Sequence, residues 1–177
     1  MMKKIFSAAI FSLLASTGLS LAVPQSFYGK TLKVTWNEER SQRTQGEGEF
    51  RSKSVPLSFT VYVSSKGQLF RRLTSSSGRA TGSKDRVGSS GTDSEGAGSV
   101  SFAGSTLIYT ANNGGLGRRI RVTFDGGSSC SAEVVTGKGG SGIQTVRSNA
   151  TGKMQEFQSV SAGAASCSVQ DGNAFAG

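Results

Sequence analysis

Hydrophobic and polar residues alternate along most of the chain, and this alternation predicts antiparallel strands. The clearest example is the stretch 117–135, where apolar and polar residues alternate over 119–124 and again over 129–134, on the two sides of Asp125-Gly126. A period of two residues is typical of a half-buried strand, and Asp-Gly between two such runs is typical of a hairpin turn. The stretch therefore predicts a hairpin with one apolar face and one face of arginine and hydroxyl side chains.

The same alternation recurs in shorter runs that are bounded by glycine- and serine-rich turns. These runs cover 32–43, 57–63, 68–74, 99–103, 106–111, 143–147, 156–162 and 166–169. Short strands at this spacing predict one all-β antiparallel domain over residues 23–177. We expect an up-and-down barrel rather than a two-sheet sandwich, because hairpins in chain order can close a barrel and remove exposed edges.

Residues 75–98 interrupt the strand pattern. They are almost all Ser, Gly, Thr and charged residues, with Val87 as the one large apolar residue. A segment with so little apolar surface cannot bury itself, so we expect a long mobile loop. A functional loop and a plain linker are equally compatible with this composition.

The first 22 residues have the pattern of a secretory signal peptide. A cationic start at Lys3 and Lys4 precedes an apolar run, and small residues precede a cleavage point between Ala22 and Val23. The apolar run is too short for a membrane span, and no later stretch is apolar enough for one. The short Lys-Lys start is typical of bacteria, so we expect a periplasmic or extracellular protein without an integral membrane span.

Cys130 and Cys167 are the two cysteines of the chain. An exported protein folds under oxidising conditions, so we predict that they form one disulfide. The alternative is a pair of buried free thiols.

The chain carries a net charge of +9, and the two leader lysines account for two of these charges, which leaves +7 on residues 23–177. A charge of this size favours acidic partners, although the scattered basic residues also fit a simply solvated surface. Arg118, Arg119 and Arg121 are the candidates for binding an anionic partner, because alternation directs Arg119 and Arg121 away from the apolar face. Arg118 lies at the turn beside them. Arg71 and Arg72 would extend the cationic sheet surface.

The candidate partners of such a surface are an anionic glycan or a membrane headgroup. Nucleic acid is disfavoured, because no aromatic residues interleave with these arginines on the same face. We expect the protein to be a monomer.

The chain contains no histidine, which removes the commonest general base and zinc ligand and every Ser-His or Cys-His arrangement. The run 137–142 matches G-x-G-x-x-G, but a strand-like run follows it where a dinucleotide site requires a helix. We therefore predict no catalytic residue, no cofactor and no metal site.

Three functions are compatible with these observations. The leading hypothesis is an exported non-catalytic binding or structural protein, and the chain is interpreted as not being an enzyme. The alternative is a small-ligand barrel, although the same side chains could simply fill the interior. Its interior would be lined by Trp36, Phe59, Val61, Phe102, Tyr109, Ile120 and Phe124. The third is a hydrolase that uses Glu47 or Glu49. These two residues belong to a carboxylate cluster with Glu38 and Glu39. We expect this cluster to be solvated, whereas a catalytic acid must be buried.

Three segments of the sequence resemble a group of small uncharacterised exported proteins of Gram-negative bacteria. They are Gly29 to Trp36, the hairpin from Val61 to Gly67, and the pair formed by 129–132 and 166–169. The resemblance covers most of residues 23–177 and implies no known activity. The expected barrel is calycin-like, but the early Gly-x-Trp of the lipocalins is not met, because Gly29 and Trp36 are seven positions apart.

Overall fold

The computed structural model describes residues 23–75, 85–87, 98–113, 115–148 and 151–175, and the predicted signal peptide lies outside them. These residues form one 3-10 turn, Gln25–Phe27, and ten strands. The strands are β1 Lys30–Thr44, β2 Arg51–Val63, β3 Leu69–Ser75, β4 Asp85–Val87, β5 Gly98–Ala103, β6 Thr106–Asn113, β7 Leu116–Phe124, β8 Cys130–Lys138, β9 Gln144–Arg147 and β10 Met154–Asp171. The predicted all-β class is confirmed.

The strands pair antiparallel in two sheets. A six-stranded sheet has the order β4-β3-β2-β1-β10-β9, and a four-stranded sheet has the order β5-β6-β7-β8. Strands that are neighbours in the chain are neighbours in each sheet, and β10 returns to pair with β1. This is the up-and-down order that the sequence predicts. The pairing does not decide between a barrel and a sandwich, so the barrel stays a prediction.

The hydrophobic core lies between the two sheets. All seven residues predicted to line the interior are at most 5% exposed: Trp36, Phe59, Val61, Phe102, Tyr109, Ile120 and Phe124. Phe59 of β2 stacks on Tyr109 of β6 with ring centroids 4.7 Å apart. The ring centroid of Phe27, in the 3-10 turn, lies 5.2 Å from the ring centroids of both Phe102 and Phe124. These aromatic contacts lie in the space between the sheets.

Strand β10 replaces two strands that the sequence predicts separately, at 156–162 and 166–169. The register against β1 shifts between Trp36, opposite Ala165, and Glu38, opposite Ala162. This β-bulge changes the phase of the alternation, so both halves of β10 keep their apolar residues inward while the sequence pattern looks interrupted. Gly163 lies in the bulge, and an added Cβ there would approach the Asn37 carbonyl oxygen to 3.3 Å, so the glycine permits the close contact.

The predicted disulfide is present. Cys130 of β8 is bonded to Cys167 of β10, with the two Cα atoms 5.7 Å apart. It therefore links the four-stranded sheet to the six-stranded sheet covalently.

The segment predicted as a loop at 75–98 contains a strand. Asp85–Val87 forms β4 and pairs with β3 at the edge of the six-stranded sheet. Residues 76–84 and 88–97 lie outside the described residues. The prediction of an uninterrupted loop is therefore wrong at β4, because pairing with β3 compensates for the weak local pattern of three residues.

The hairpin between β7 and β8 turns at Asp125, as the Asp-Gly signal predicts. Gly126 has a φ of 88°, in the left-handed region that glycine adopts without strain. The Asp125 carboxylate accepts hydrogen bonds from the Ser129 hydroxyl and from the amide of Gly127, the latter at 2.8 Å. These bonds favour the ionised form and hold the pKa of Asp125 below its ordinary value, with the Ser129 hydroxyl as the largest cause.

Candidate functional site

The three arginines predicted to bind an anionic partner do not share one face of β7. Arg119 and Arg121 are exposed on the outer face of the four-stranded sheet, as alternation predicts. Arg118 is directed inward, and its Nη2 lies 2.7 Å from a carboxylate oxygen of Glu38. The expectation that all three meet one anionic surface is therefore wrong for Arg118, which has the same phase as Ile120.

The remaining two arginines make only a weakly cationic surface. Arg121 Nη1 lies 3.7 Å from the Glu133 carboxylate, and both side chains are about half exposed or more, at 47% and 64%. An exposed pair of this kind contributes little to stability, but its carboxylate would repel an anionic partner.

Glu38 is a buried carboxylate that the sequence reading placed in a solvated cluster. Its side chain is 1% exposed and lies between Arg40, at 2.7 Å, and Arg118, also at 2.7 Å. The Arg118 guanidinium also lies 5.9 Å from the centroid of the Trp36 ring. Burial with two cationic partners makes Glu38 a structural link between the sheets.

Arg71 is also placed differently from the prediction of an outer cationic face. It is 3% exposed, donates from Nη2 to the Gly98 carbonyl at 3.1 Å, and lies over the Tyr109 ring at 4.7 Å. Leu69 and Arg71 are two positions apart and therefore point to the same inner face. Arg72 remains on the outer face.

The proposed hydrolytic residues Glu47 and Glu49 are exposed in the turn between β1 and β2. Glu47 pairs with Lys153 at 3.7 Å, and both side chains are 64% exposed. A glycosidase needs one buried acid that retains its proton, so this placement gives the hydrolase hypothesis no support.

The outer face of the six-stranded sheet carries aligned rows of polar side chains, which we call the hydroxyl face. In the first row, the cation row, the register across β3, β2, β1 and β10 aligns Arg72, Thr60, Lys33 and Ser168. In the second row, the hydroxyl row, the same register aligns Thr74, Ser58, Thr35 and Ser166. Alternation places both rows opposite the core, because each of these residues follows an inward-facing residue of its strand.

Two adjoining grooves lie on this face, with volumes of about 440 Å³ and about 300 Å³. Lys33, Ser58 and Thr74 line both grooves, so the grooves are continuous with each other. No carboxylate is present among the described residues that line either groove. The charged side chains among these lining residues are therefore all cationic, and hydroxyl groups lie beside them.

The two cations of the cation row have different surroundings. Lys33 is exposed and forms no ion pair within the described part of the chain. The Arg72 guanidinium lies over the ring of Phe175, 5.2 Å from its centroid. Arg72 is therefore held in position while Lys33 is free to adjust.

The chain after β10 forms a wall along one side of the hydroxyl face. The Thr31 hydroxyl donates to the Gly172 carbonyl at 2.6 Å and accepts from the Ala174 amide at 3.2 Å. These two bonds fix the turn above β1 and bring Phe175 to Arg72. Ala174 and Phe175 line the smaller groove as a result.

A surface of this composition suits a ligand that is both anionic and rich in hydroxyls. Arginine and lysine donate charge-assisted hydrogen bonds to carboxylate, sulfate or phosphate oxygens. Each Ser or Thr hydroxyl can donate one hydrogen bond and accept two. Ser58 and Thr74 share one bond of 2.5 Å, so the pair retains capacity for a ligand. No group of three or more His, Cys, Asp or Glu that could hold a metal occurs among the described residues.

Alternation within each strand was the available signal for this face, and it separates Lys33, Ser58 and Arg72 from the core. The sequence does not contain the pairing of distant strands, so it could not show that Lys33 and Arg72 lie in one row. The same signal, applied strictly, would have placed Glu38 and Arg118 inside the protein.

A scan against protein-family models, a search of curated proteins and a search of solved structures found no match. The resemblance to small exported proteins therefore stays an expectation. Among the described residues, no helix is both long and apolar enough to cross a membrane.

Proposed function

We propose that this protein is an exported, non-catalytic binding protein that takes an anionic glycan on its hydroxyl face. The observation that carries the proposal is the cation row, where Lys33 and Arg72 lie among hydroxyl groups and no carboxylate lines the grooves. Glycans present many hydroxyls that match the Ser and Thr side chains, and anionic glycans add the charge that matches the two cations. The disulfide and the leader-like start support export to an oxidising compartment.

A membrane headgroup is a weaker candidate for the same face. Proteins that dock on a membrane surface usually place large apolar side chains beside their cations. The exposed large hydrophobic residues of the described chain are Val135 and Ile143, and neither lines the grooves. The hydroxyl face therefore offers charge to a bilayer but no apolar anchor.

Single-stranded nucleic acid is also a weaker candidate, because it requires aromatic ring faces on which bases stack. Tyr62 and Phe70 flank the cation row, but they are half-buried and pack against each other, with centroids 6.0 Å apart. The Phe175 ring is covered by the Arg72 guanidinium. These rings do not form an open stacking platform.

The test compares two pairs of substitutions that remove the same charge from different sheets. One variant carries Lys33→Ser and Arg72→Ser, and the control carries Arg119→Ser and Arg121→Ser. Binding of residues 23–177 to heparin, polygalacturonate and neutral dextran is measured by calorimetry at low and physiological salt, and thermal melts confirm that each variant is folded. We expect both anionic polymers, or one of them, to bind in a salt-sensitive way and dextran to bind weakly.

The first variant should lose at least about tenfold in affinity, because a hydrogen bond to a charged group contributes roughly 1.5–3 kcal/mol, while the control should bind nearly as well as the wild type. If both double variants lost the same affinity, binding would depend on net charge alone, and the proposal would be overturned. A loss confined to the Arg119 and Arg121 variant would move the site to the four-stranded sheet. Anionic liposomes and DNA are titrated in the same way, and binding to either of them but to neither anionic polysaccharide would reject a glycan.

A further inference from the structure

Arg72 and Lys33 are too far apart along the cation row to be treated as one binding point. Arg72 lies opposite Thr60, and Thr60 lies opposite Lys33 on the next strand. Paired strands are roughly 4.8 Å apart, so the two Cα atoms are separated by roughly 9–10 Å. Because Phe175 holds the Arg72 guanidinium on the side of the C-terminal turn, the two cations offer two separate contacts.

The hydroxyl row continues this surface beyond the two cations. Thr74, Ser58, Thr35 and Ser166 occupy equivalent positions on four adjacent strands, which spans roughly 14 Å at the usual strand spacing. Each groove is lined by residues of β3, β2, β1 and β10, so the surface is continuous in the direction across the strands. A single sugar unit would occupy only part of it.

Two irregular segments border the two joined grooves of the hydroxyl face, which we call the trough. The turn that carries Ala174 and Phe175 forms one side, where Thr31 fixes it by two hydrogen bonds. The bulge of β10 forms the other side, where Asn37 and Ala164 line the larger groove. The turn borders the cation row at Thr31 of β1 and Arg72 of β3, and the bulge borders the hydroxyl row at β1 and β10, so the rows run across the strands between these two segments.

We propose, on the basis of the glycan-binding function above, that the ligand is an extended anionic polysaccharide chain that lies across β3, β2, β1 and β10. One acidic group of the chain binds Arg72 and a second binds Lys33. The hydroxyls of the neighbouring row bind the sugar hydroxyls between and beyond the two acidic groups. The protein therefore recognises a polymer rather than a monosaccharide or a chain end.

The first measurement is a length series. Size-fractionated oligogalacturonides and heparin oligosaccharides, from the shortest unit to about eight sugars, are titrated into residues 23–177 by calorimetry. We expect affinity to rise at least tenfold with length and then to level off once the chain spans the trough. Lys33→Ser should weaken the long oligomers strongly and the shortest ones little, because only the long ones reach both cations.

The second measurement adds a negative charge to test whether the chain binds at the Lys33 and β10 end of the cation row. Ser168→Glu places a carboxylate at the β10 end of the cation row, and Ser161→Glu places the same charge on the same strand beyond the bulge. We expect Ser168→Glu to weaken long oligomers at least fivefold and Ser161→Glu to leave them almost unchanged. The second variant controls for the change in net charge.

The outcomes separate this inference from the proposed function. If all lengths bind equally well, or if Ser168→Glu has no more effect than Ser161→Glu, the extended placement is overturned while glycan binding stands. If neither the oligomers nor the parent polysaccharides bind the wild-type protein, the proposed function fails and the placement fails with it.

Discussion

The carboxylate of Glu38 on β1 and the guanidinium of Arg118 on β7 join the two sheets of this protein. One carboxylate oxygen accepts hydrogen bonds from Nη2 of Arg118 at 2.7 Å and from Nε at 3.2 Å. The other oxygen accepts a bond from Nε of Arg40 at 2.9 Å. The buried carboxylate is therefore held by one cation of its own strand and one of the opposite sheet.

Removal of the Glu38 carboxylate should destabilise the fold strongly. Glu38→Ala leaves two guanidinium groups without their anion, and loss of one member of a buried ion pair costs about 3–5 kcal/mol. Arg118→Ala should cost less, about 1.5–3 kcal/mol, because Arg40 still pairs with the carboxylate. Urea unfolding of both variants measures the difference.

The double variant Glu38→Met, Arg118→Met is the control for this prediction. It replaces the pair by apolar side chains and should recover part of the loss, because the Arg118 guanidinium is no longer left without its anion. Equal stabilities of wild type and Glu38→Ala would show that the pair contributes nothing.

The disulfide should stabilise the folded protein by constraining the unfolded chain. Cys130 and Cys167 are 37 positions apart, and on the chain-entropy model a loop of this length corresponds to about 4 kcal/mol. The double variant Cys130→Ser, Cys167→Ser should therefore unfold at a lower denaturant concentration than the oxidised protein. Reduced wild-type protein is the control and should match the variant. Two alkylatable thiols in protein folded under oxidising conditions would contradict the disulfide itself.

The turn at Asp125 should make stability depend on acid pH. The folded-state pKa lies below the ordinary value of 3.8 because the Ser129 hydroxyl and backbone amides bind the ionised carboxylate. A lowered pKa means that this stabilisation is fully present above pH 3.8 and is lost as the pH falls through the folded pKa. The stability gap between wild type and Asp125→Ala should thus be largest near neutral pH and close in strong acid.

A carboxyl titration by NMR tests the cause of the Asp125 shift directly. Ser129→Ala removes the largest contribution, so it should move the pKa of Asp125 back toward its ordinary value. A wild-type pKa at or above the ordinary value would refute the prediction.

Phe27 should be essential for the packing of the core, although it lies in a 3-10 turn and not in a strand. It is fully buried against Phe102 and Phe124, so Phe27→Ala should cost about 3–5 kcal/mol by leaving a cavity. Phe27→Leu is the matched variant and should cost less, because it retains most of the volume. Chemical denaturation measures both, and a loss below 1 kcal/mol for the alanine variant, well under the range for a buried phenylalanine, would contradict this role.

Local alternation was sufficient to predict the class of fold and seven of the side chains in its core. Side chains point to opposite faces of a strand at successive positions, so a period of two separates inside from outside without knowledge of the neighbouring strands. The seven predicted interior residues are buried for this reason, and the disulfide followed from the two cysteines and the expected compartment.

The wrong predictions concern charged residues, for which the charge was given more weight than the position of the residue in the alternation. Glu38, Arg71 and Arg118 were expected outside because they are charged, yet each has the phase of its apolar neighbours and is buried or directed inward. A charged side chain can occupy such a position only when another strand supplies a partner, and a single strand does not reveal that partner.

The sequence alone determined which residues of each strand face the core and which face solvent, because that depends only on backbone geometry. The tertiary structure decided which residues lie side by side, because strand register joins positions far apart in the chain. Pairing of both strands with β2 places Lys33 and Arg72 in one row. The bulge of β10 allows both halves of that strand to direct their apolar residues inward. The candidate binding face exists only at that level, since its rows cross four strands and its wall comes from the turn that follows β10.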